Sequence, residues 1–237
     1  MVSTGNTAGF SRYPNFDPAT FLCHCDTAPL VDDLGHAVST YLNILNLSDT
    51  YAKFGAKALY FDGTYYVVSA ATPDYDAYGH DFTVDFWFLT DIGTWSATPL
   101  FNMNYLNISV VDPYTMRVAT QNNGGQDLDV SFALGGGIPL SSQVWYHLAF
   151  VYNHATTTWA LYLNGTSLGS GSESTFNSNQ LLFGYTSTFA NNLYLDELRF
   201  TNNQAVWASN FTPPASPYQA SGTTGVAAHM LSYGDKL

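Results

Sequence analysis

Val-Trp-Tyr-His-Leu-Ala-Phe-Val-Tyr-Asn-His-Ala-Thr-Thr-Thr-Trp-Ala-Leu-Tyr-Leu-Asn-Gly-Thr-Ser-Leu-Gly, residues 144–169, is the stretch that decides the fold class. In its first half Tyr146, Leu148, Phe150 and Tyr152 fall on one side, and Trp145, His147, Ala149 and Val151 on the other. That is the two-residue period of a strand. The polar interval 153–158 turns the chain, residues 159–163 alternate again, and Asn164-Gly165 supplies a pair suited to positive φ in a tight turn. A hairpin apolar on both faces would pair with other molecules if it stood at an edge. It is therefore expected in the middle of a sheet packed on another layer.

Working outward, a short strand is expected at 21–26, then strands at 57–62 and 65–69 joined at Asp62-Gly63-Thr64. Residues 82–89 read as a half-buried strand, with Phe82, Val84, Phe86 and Phe88 on one face and Thr83, Asp85 and Trp87 on the other. Further strands are expected at 106–111, 115–119, 128–134, 180–184 and 192–201, while 26–49 and 70–80 read as turn-rich connections. With almost no helical signal, this spacing predicts an all-β, two-sheet antiparallel jelly-roll sandwich over 19–218. Residues 1–18 and 219–237 lack a sustained period and read as N- and C-terminal arms.

Composition narrows the function. The chain has 237 residues, 46% hydrophobic and 16% aromatic, enough for one sizeable core in one domain. Its net charge of -12 comes from 18 acidic and 6 basic residues, and the basic ones (Arg12, Lys53, Lys57, Arg117, Arg199, Lys236) are scattered. A phosphate backbone needs a clustered basic patch, so nucleic acid is not an expected partner. No apolar run is long enough to cross a bilayer, and no start resembles a signal peptide, so synthesis in a cytoplasm is expected. Cys23 and Cys25 share a face if extended, with His24 pointing away. This arrangement suits buried reduced thiols better than a zinc site or a strained bridge.

Several of these segments together resemble a known family. Leu22-Cys23-His24-Cys25-Asp26, Lys53-Phe54-Gly55 and Ala58-Leu59-Tyr60-Phe61-Asp62-Gly63 are followed by Asp81-Phe82-Thr83-Val84-Asp85-Phe86-Trp87 and Trp145-Tyr146-His147-Leu148-Ala149. Leu161-Tyr162-Leu163-Asn164-Gly165, Leu195-Asp196-Glu197-Leu198-Arg199 and Phe211-Thr212-Pro213-Pro214 complete the order. The series is similar to the laminin-G-like, concanavalin-A-like jelly rolls common in bacteriophage virion proteins. The resemblance covers about 21–218. It implies a non-catalytic structural virion protein, a surface-displayed jelly roll decorating the capsid. The arms, through Phe10, Tyr13, Phe16 and Tyr233, would dock onto other virion proteins, and a homo-oligomer is compatible with this. The alternative it implies is a tail or head-fibre adhesin for host-surface glycans.

No cofactor is required. The resemblance admits a structural calcium at Asp62 and Asp196, though either side chain would serve equally well as a turn cap or a partner of Arg199. Sugar rings stack on exposed aromatic faces while polar groups fix their hydroxyls. Tyr75, Tyr78, Trp95 and Tyr114, beside Asp74, Asp76, Asn102 and Asn104, are therefore the candidate carbohydrate contacts, and the same composition also suits a protein interface. Glucanases share the fold but carry an acidic Glu-x-Asp-x-x-Glu strand. Here Glu173 and Glu197 are the only glutamates and lie outside such a pattern; Asp127 and Asp129, or Asp74 and Asp76, read as solvated carboxylates. Hydrolysis is not expected.

Overall fold

The computed structural model describes residues 16–17, 19–91, 98–103, 106–120, 128–134, 139–174, 176, 178–185 and 188–220. In chain order its strands are β1 (Phe16–Asp17), β2 (Phe21–Cys23), β3 (Val38–Thr40), β4 (Leu47–Ser48), β5 (Ala58–Asp62), β6 (Val67–Ser69), β7 (Phe82–Thr90) and β8 (Thr98–Met103). Then follow β9 (Leu106–Asp112), β10 (Thr115–Thr120), β11 (Leu128–Ala133), β12 (Tyr146–Asn153), β13 (Thr158–Leu163), β14 (Thr166–Ser172), β15 (Leu182–Phe183), β16 (Asn191–Asn202) and β17 (Gln219–Ala220). Two single-turn 3₁₀ helices, Tyr41–Asn43 and Pro73–Tyr75, are the helical elements among the described residues.

One sheet runs β14-β13-β12-β7-β16-β5-β4, with β2 also on β16, and the facing sheet runs β11-β10-β9-β8-β15-β6-β3. Within both sheets neighbours are antiparallel, so the expected two-layer sandwich is the one observed. The long hairpin β12-β13 lies inside its sheet, between β7 and β14. The next turn, between β13 and β14, carries Asn164 at φ 49° and Gly165 at φ 74°. A Cβ on Gly165 would fall 1.9 Å from the Phe211 carbonyl oxygen, so the backbone there requires glycine for close approach as well as for conformation.

The core lies between the sheets. Phe82, Phe86, Phe88, Leu148, Phe150 and Tyr152 meet Phe101, Ile108, Val118, Phe176 and Phe183 there, all fully buried. Each such aromatic contributes about 1.5–3 kcal/mol by leaving water. Cys23 and Cys25 belong to this cluster as free thiols with Sγ atoms 3.9 Å apart.

Four features differ from the sequence reading. β5 and β6, joined at Asp62-Gly63-Thr64, lie in opposite sheets, so that turn is a crossover between layers. The turn-rich connection 26–49 contributes β3 and β4, and β8 and β14 are additional strands. Every residue of β7 is buried, because residues 203–218 and the Lys53-Phe54 segment cover its outer face. The two arms are not independent at their roots, since Phe16 pairs with Gln219 and Asp17 with Ala220 in a parallel ladder. Phe10, Tyr13 and Tyr233 lie outside the described residues.

Candidate functional site

The loop 70–80 builds a surface site. Thr72 Oγ1 accepts the Asp74 amide and Pro73 sits in the first turn, which starts the Pro73–Tyr75 helix. The loop directs its two tyrosines to opposite fates. Tyr75 is 0% exposed, packed against Phe21, Phe200 and His36, whereas Tyr78 is 59% exposed. Tyr75 is therefore a core residue and not the expected stacking ring, because the helical turn points it inward.

Thr20, Pro73, Asp74, Asp76, His80, Asn202 and Asn203 line an open depression of about 310 Å³. Its floor is held by Asn202, whose Nδ2 donates to the carbonyls of Asp74 at 2.9 Å and Asp76 at 3.0 Å. The Asn202 amide donates to Thr20 Oγ1 and the Tyr78 amide to Asp76 Oδ1. His36 stands behind the wall, with Nδ1 2.5 Å from Asp32 Oδ2 and Nε2 3.0 Å from Asp74 Oδ2. Burial opposes charge on His36, but the two carboxylates outweigh it and raise its pKa; in return the hydrogen bond from His36 holds Asp74 below the usual carboxylate range.

The other expected contacts are elsewhere. Tyr114 is 49% exposed at the β9-β10 turn, on the far side of β8 and β15 from β6 and the loop. Asn102 is on β8, bonded to Asn107, and Trp95, Asn104 and Asp127 lie outside the described residues. A separate aromatic group escaped the sequence reading. Tyr66 stacks on Tyr41 at 5.1 Å and on Tyr185 at 4.8 Å, with Phe189 beside them and Leu42 projecting at 64% exposure. These residues are distant in sequence, so no local pattern announces them.

Asp62 and Asp196, the calcium candidates, are not brought together. Asp62 pairs near Asn191 at one end of β16 and accepts from Asn46 and Thr64; Asp196 lies at the middle of the strand and accepts the amides of Lys53, Phe54 and Glu197. Both carboxylates cap turns, and Arg199 pairs with Asp85. Burial pushes the Asp196 carboxyl up to about 7 against these amide donors. Among the described residues no three His, Cys, Asp or Glu side chains are grouped to hold a metal.

Nor do the two glutamates form a carboxylate pair. Glu173 follows β14 and accepts from Thr120 Oγ1, and Glu197 lies on β16 bound to His24 Nδ1 at 2.7 Å, with β13, β12 and β7 between the two strands. Asp129 is paired with Arg117. A larger buried network joins Asp85 to Arg199 Nε at 2.8 Å, to His147 Nε2 at 3.2 Å and to the Tyr218 hydroxyl. Burial raises the Asp85 pKa, but Arg199 and His147 outweigh it and lower the value overall. Burial dominates at His147, lowering its pKa, and at Tyr218, raising it. All four side chains are closed to solvent, so the network fastens residues 203–218 across the sheet.

Residues 59–206 match the family model described as the concanavalin A-like lectin/glucanases superfamily. The chain belongs to this superfamily. The binding domain of Paraclostridial Mosquitocidal Protein 1 superposes with a TM-score of 0.65 at 16% identity, covering 79% of this chain and 49% of that one. The binding domain of botulinum neurotoxin DC, solved in complex with SialylT, gives 0.62 at 11% identity, covering 79% and 48%. That of botulinum neurotoxin serotype G gives 0.59 at 11%, covering 77% and 47%. The lectin/glucanase-like chain thus spans about half the length of the solved structures it matches, and these identities establish the shared fold. No curated protein matches the sequence.

Proposed function

We propose that this jelly roll is a non-catalytic glycan-binding module, and that the Asp74–Asp76–Asn202 depression is its sugar site. The observation that carries the reading is the combination of two carboxylates on a fixed floor with an exposed Tyr78 in the same loop, two residues from both Asp76 and His80. Polar groups of this kind receive sugar hydroxyls, and an exposed ring stacks on a pyranose face. A related fold solved with SialylT bound supports the class of ligand. Tyr78→Ala and Asp76→Ala should each weaken binding on a glycan array by about tenfold or more, with the thermal transition nearly unchanged for the exposed Tyr78 and lowered slightly for the half-buried Asp76, which accepts the Tyr78 amide. Undiminished binding in both variants would sink this site.

The setting we propose is the surface of a phage particle, with the protein attached through its arms. The parallel pairing of Phe16–Asp17 with Gln219–Ala220 favours it, since both arms leave the body at one place and leave the rest of the surface free. Deleting residues 1–15 or 222–237 should abolish incorporation into particles while the jelly roll still melts cooperatively. Full occupancy by both truncated chains would overturn the docking role.

A further inference from the structure

We propose that the depression selects saccharides lacking an acidic group, whose hydroxyl or ammonium donors face Asp74 and Asp76; the inference rests on the glycan-binding reading above. The argument is an inventory of hydrogen-bonding groups. Asn202 Nδ2 spends both hydrogens on the carbonyls of Asp74 and Asp76, and Asn202 Oδ1 accepts the Asn203 amide at 2.9 Å. One oxygen of each carboxylate is used, Asp74 Oδ2 by His36 and Asp76 Oδ1 by Tyr78. The Asp74 carboxylate is engaged by His36 and Thr72, whereas Asp76 Oδ2 receives no hydrogen bond from any described residue. The surface therefore offers acceptors to a ligand, and its remaining side-chain donors, the Thr20 hydroxyl, the Asn203 amide and the His80 ring, include no lysine or arginine.

Charge points the same way. A sialic or uronic carboxylate needs a guanidinium, an ammonium or a set of free amides. Arg199 is buried against Asp85, Arg117 is paired with Asp129, Lys53 lies over Trp87 at 3.8 Å, and Lys57 leads into β5, so none of the described basic residues lines the depression. His36 is shared between Asp32 and Asp74 and makes no ion pair with Asp76, which is left to repel an anion. A net charge of -12 adds a long-range field of the same sign.

The full chain should be screened on an array of neutral, glucosamine-bearing, uronate-bearing and sialylated oligosaccharides, including pairs that differ only by a terminal sialic acid. The expected result is binding to neutral or amino glycans, about fivefold or more over the acidic partner at low salt, the size expected of one unscreened charge near the surface. Asp76→Asn keeps an acceptor for the Tyr78 amide and should narrow that gap. Preference for the acidic member of the pairs, or a gap unmoved by Asp76→Asn, would overturn the inference while leaving glycan binding intact. A folded chain that binds nothing on the array would remove the glycan reading and this inference with it.

Discussion

Tyr75 and Tyr78 are separated by three positions and share a loop, yet one is sealed in the core and the other stands in water. Composition treats them alike; the 3₁₀ turn that ends at Tyr75 does not. The same distinction applies to charge. Arg117 and Asp129 form a bidentate pair at the surface, where screening leaves less than about 1 kcal/mol. Asp85 and Arg199 are buried, where removing one partner costs about 3–5 kcal/mol by stranding the other. His24 offers a titration that reads this chemistry. Its hydrogen bond to Glu197, against burial and with help from Asp33, raises its pKa from 6.5 to about 9. A raised folded-state value means that the stabilisation is complete below pH 6.5 and is lost as pH rises through 9. The wild-type Tm should accordingly exceed that of His24→Gln by a few degrees at pH 6 and converge with it above pH 9. Parallel curves across this range would remove His24 as a charged clamp.

At the scale of elements, β16 shows why an alternation read by eye misleads. Leu193 and Leu195 face the core, and so do Leu198 and Phe200, although the two pairs have opposite parity. A bulge between Asp196 and Arg199 absorbs the extra residue, with Glu197 at φ 53°. The bulge also sends both Asp196 and Arg199 to the outer face and divides the strand's edge between β5 and β2. Deleting Glu197 should restore simple alternation and expel one of these two pairs from the core, giving insoluble protein without a cooperative transition. Glu197→Gly, which keeps the bulge, should fold with a lowered Tm. A deletion variant that melts like wild type would refute this account. The strands that pattern reading missed have related causes. β3 and β4 are only three and two residues long, too short to show a period, and β14 is Ser- and Gly-rich because Gly169 and Gly171 must lie close to Phe132 and Trp159.

For the whole molecule, what the amino-acid sequence determined by itself was the layer architecture. The residue 144–169 hairpin, the β7 pattern and the ordered motifs reflect local periodicity, and burying two apolar faces permits few arrangements other than a closed sandwich. Asp74, Asp76 and Tyr78 were legible as a polar, aromatic loop, because turn-forming residues at the surface advertise themselves. Tertiary structure alone decided which of them meet. Asn202 comes from the far end of β16 to brace the Asp74–Asp76 turn, and His36 arrives from the segment before β3 to orient Asp74. It also decided that residues 203–218 cover the outer face of β7, through Trp207 stacked on Phe211 at 3.9 Å and Tyr218 over Arg199. The physical reason is one of range. Strand periodicity and turn chemistry are set between neighbours in the chain, whereas the site joins residues as far apart as Asp74 and Asn202, whose pairing depends on how the two sheets close.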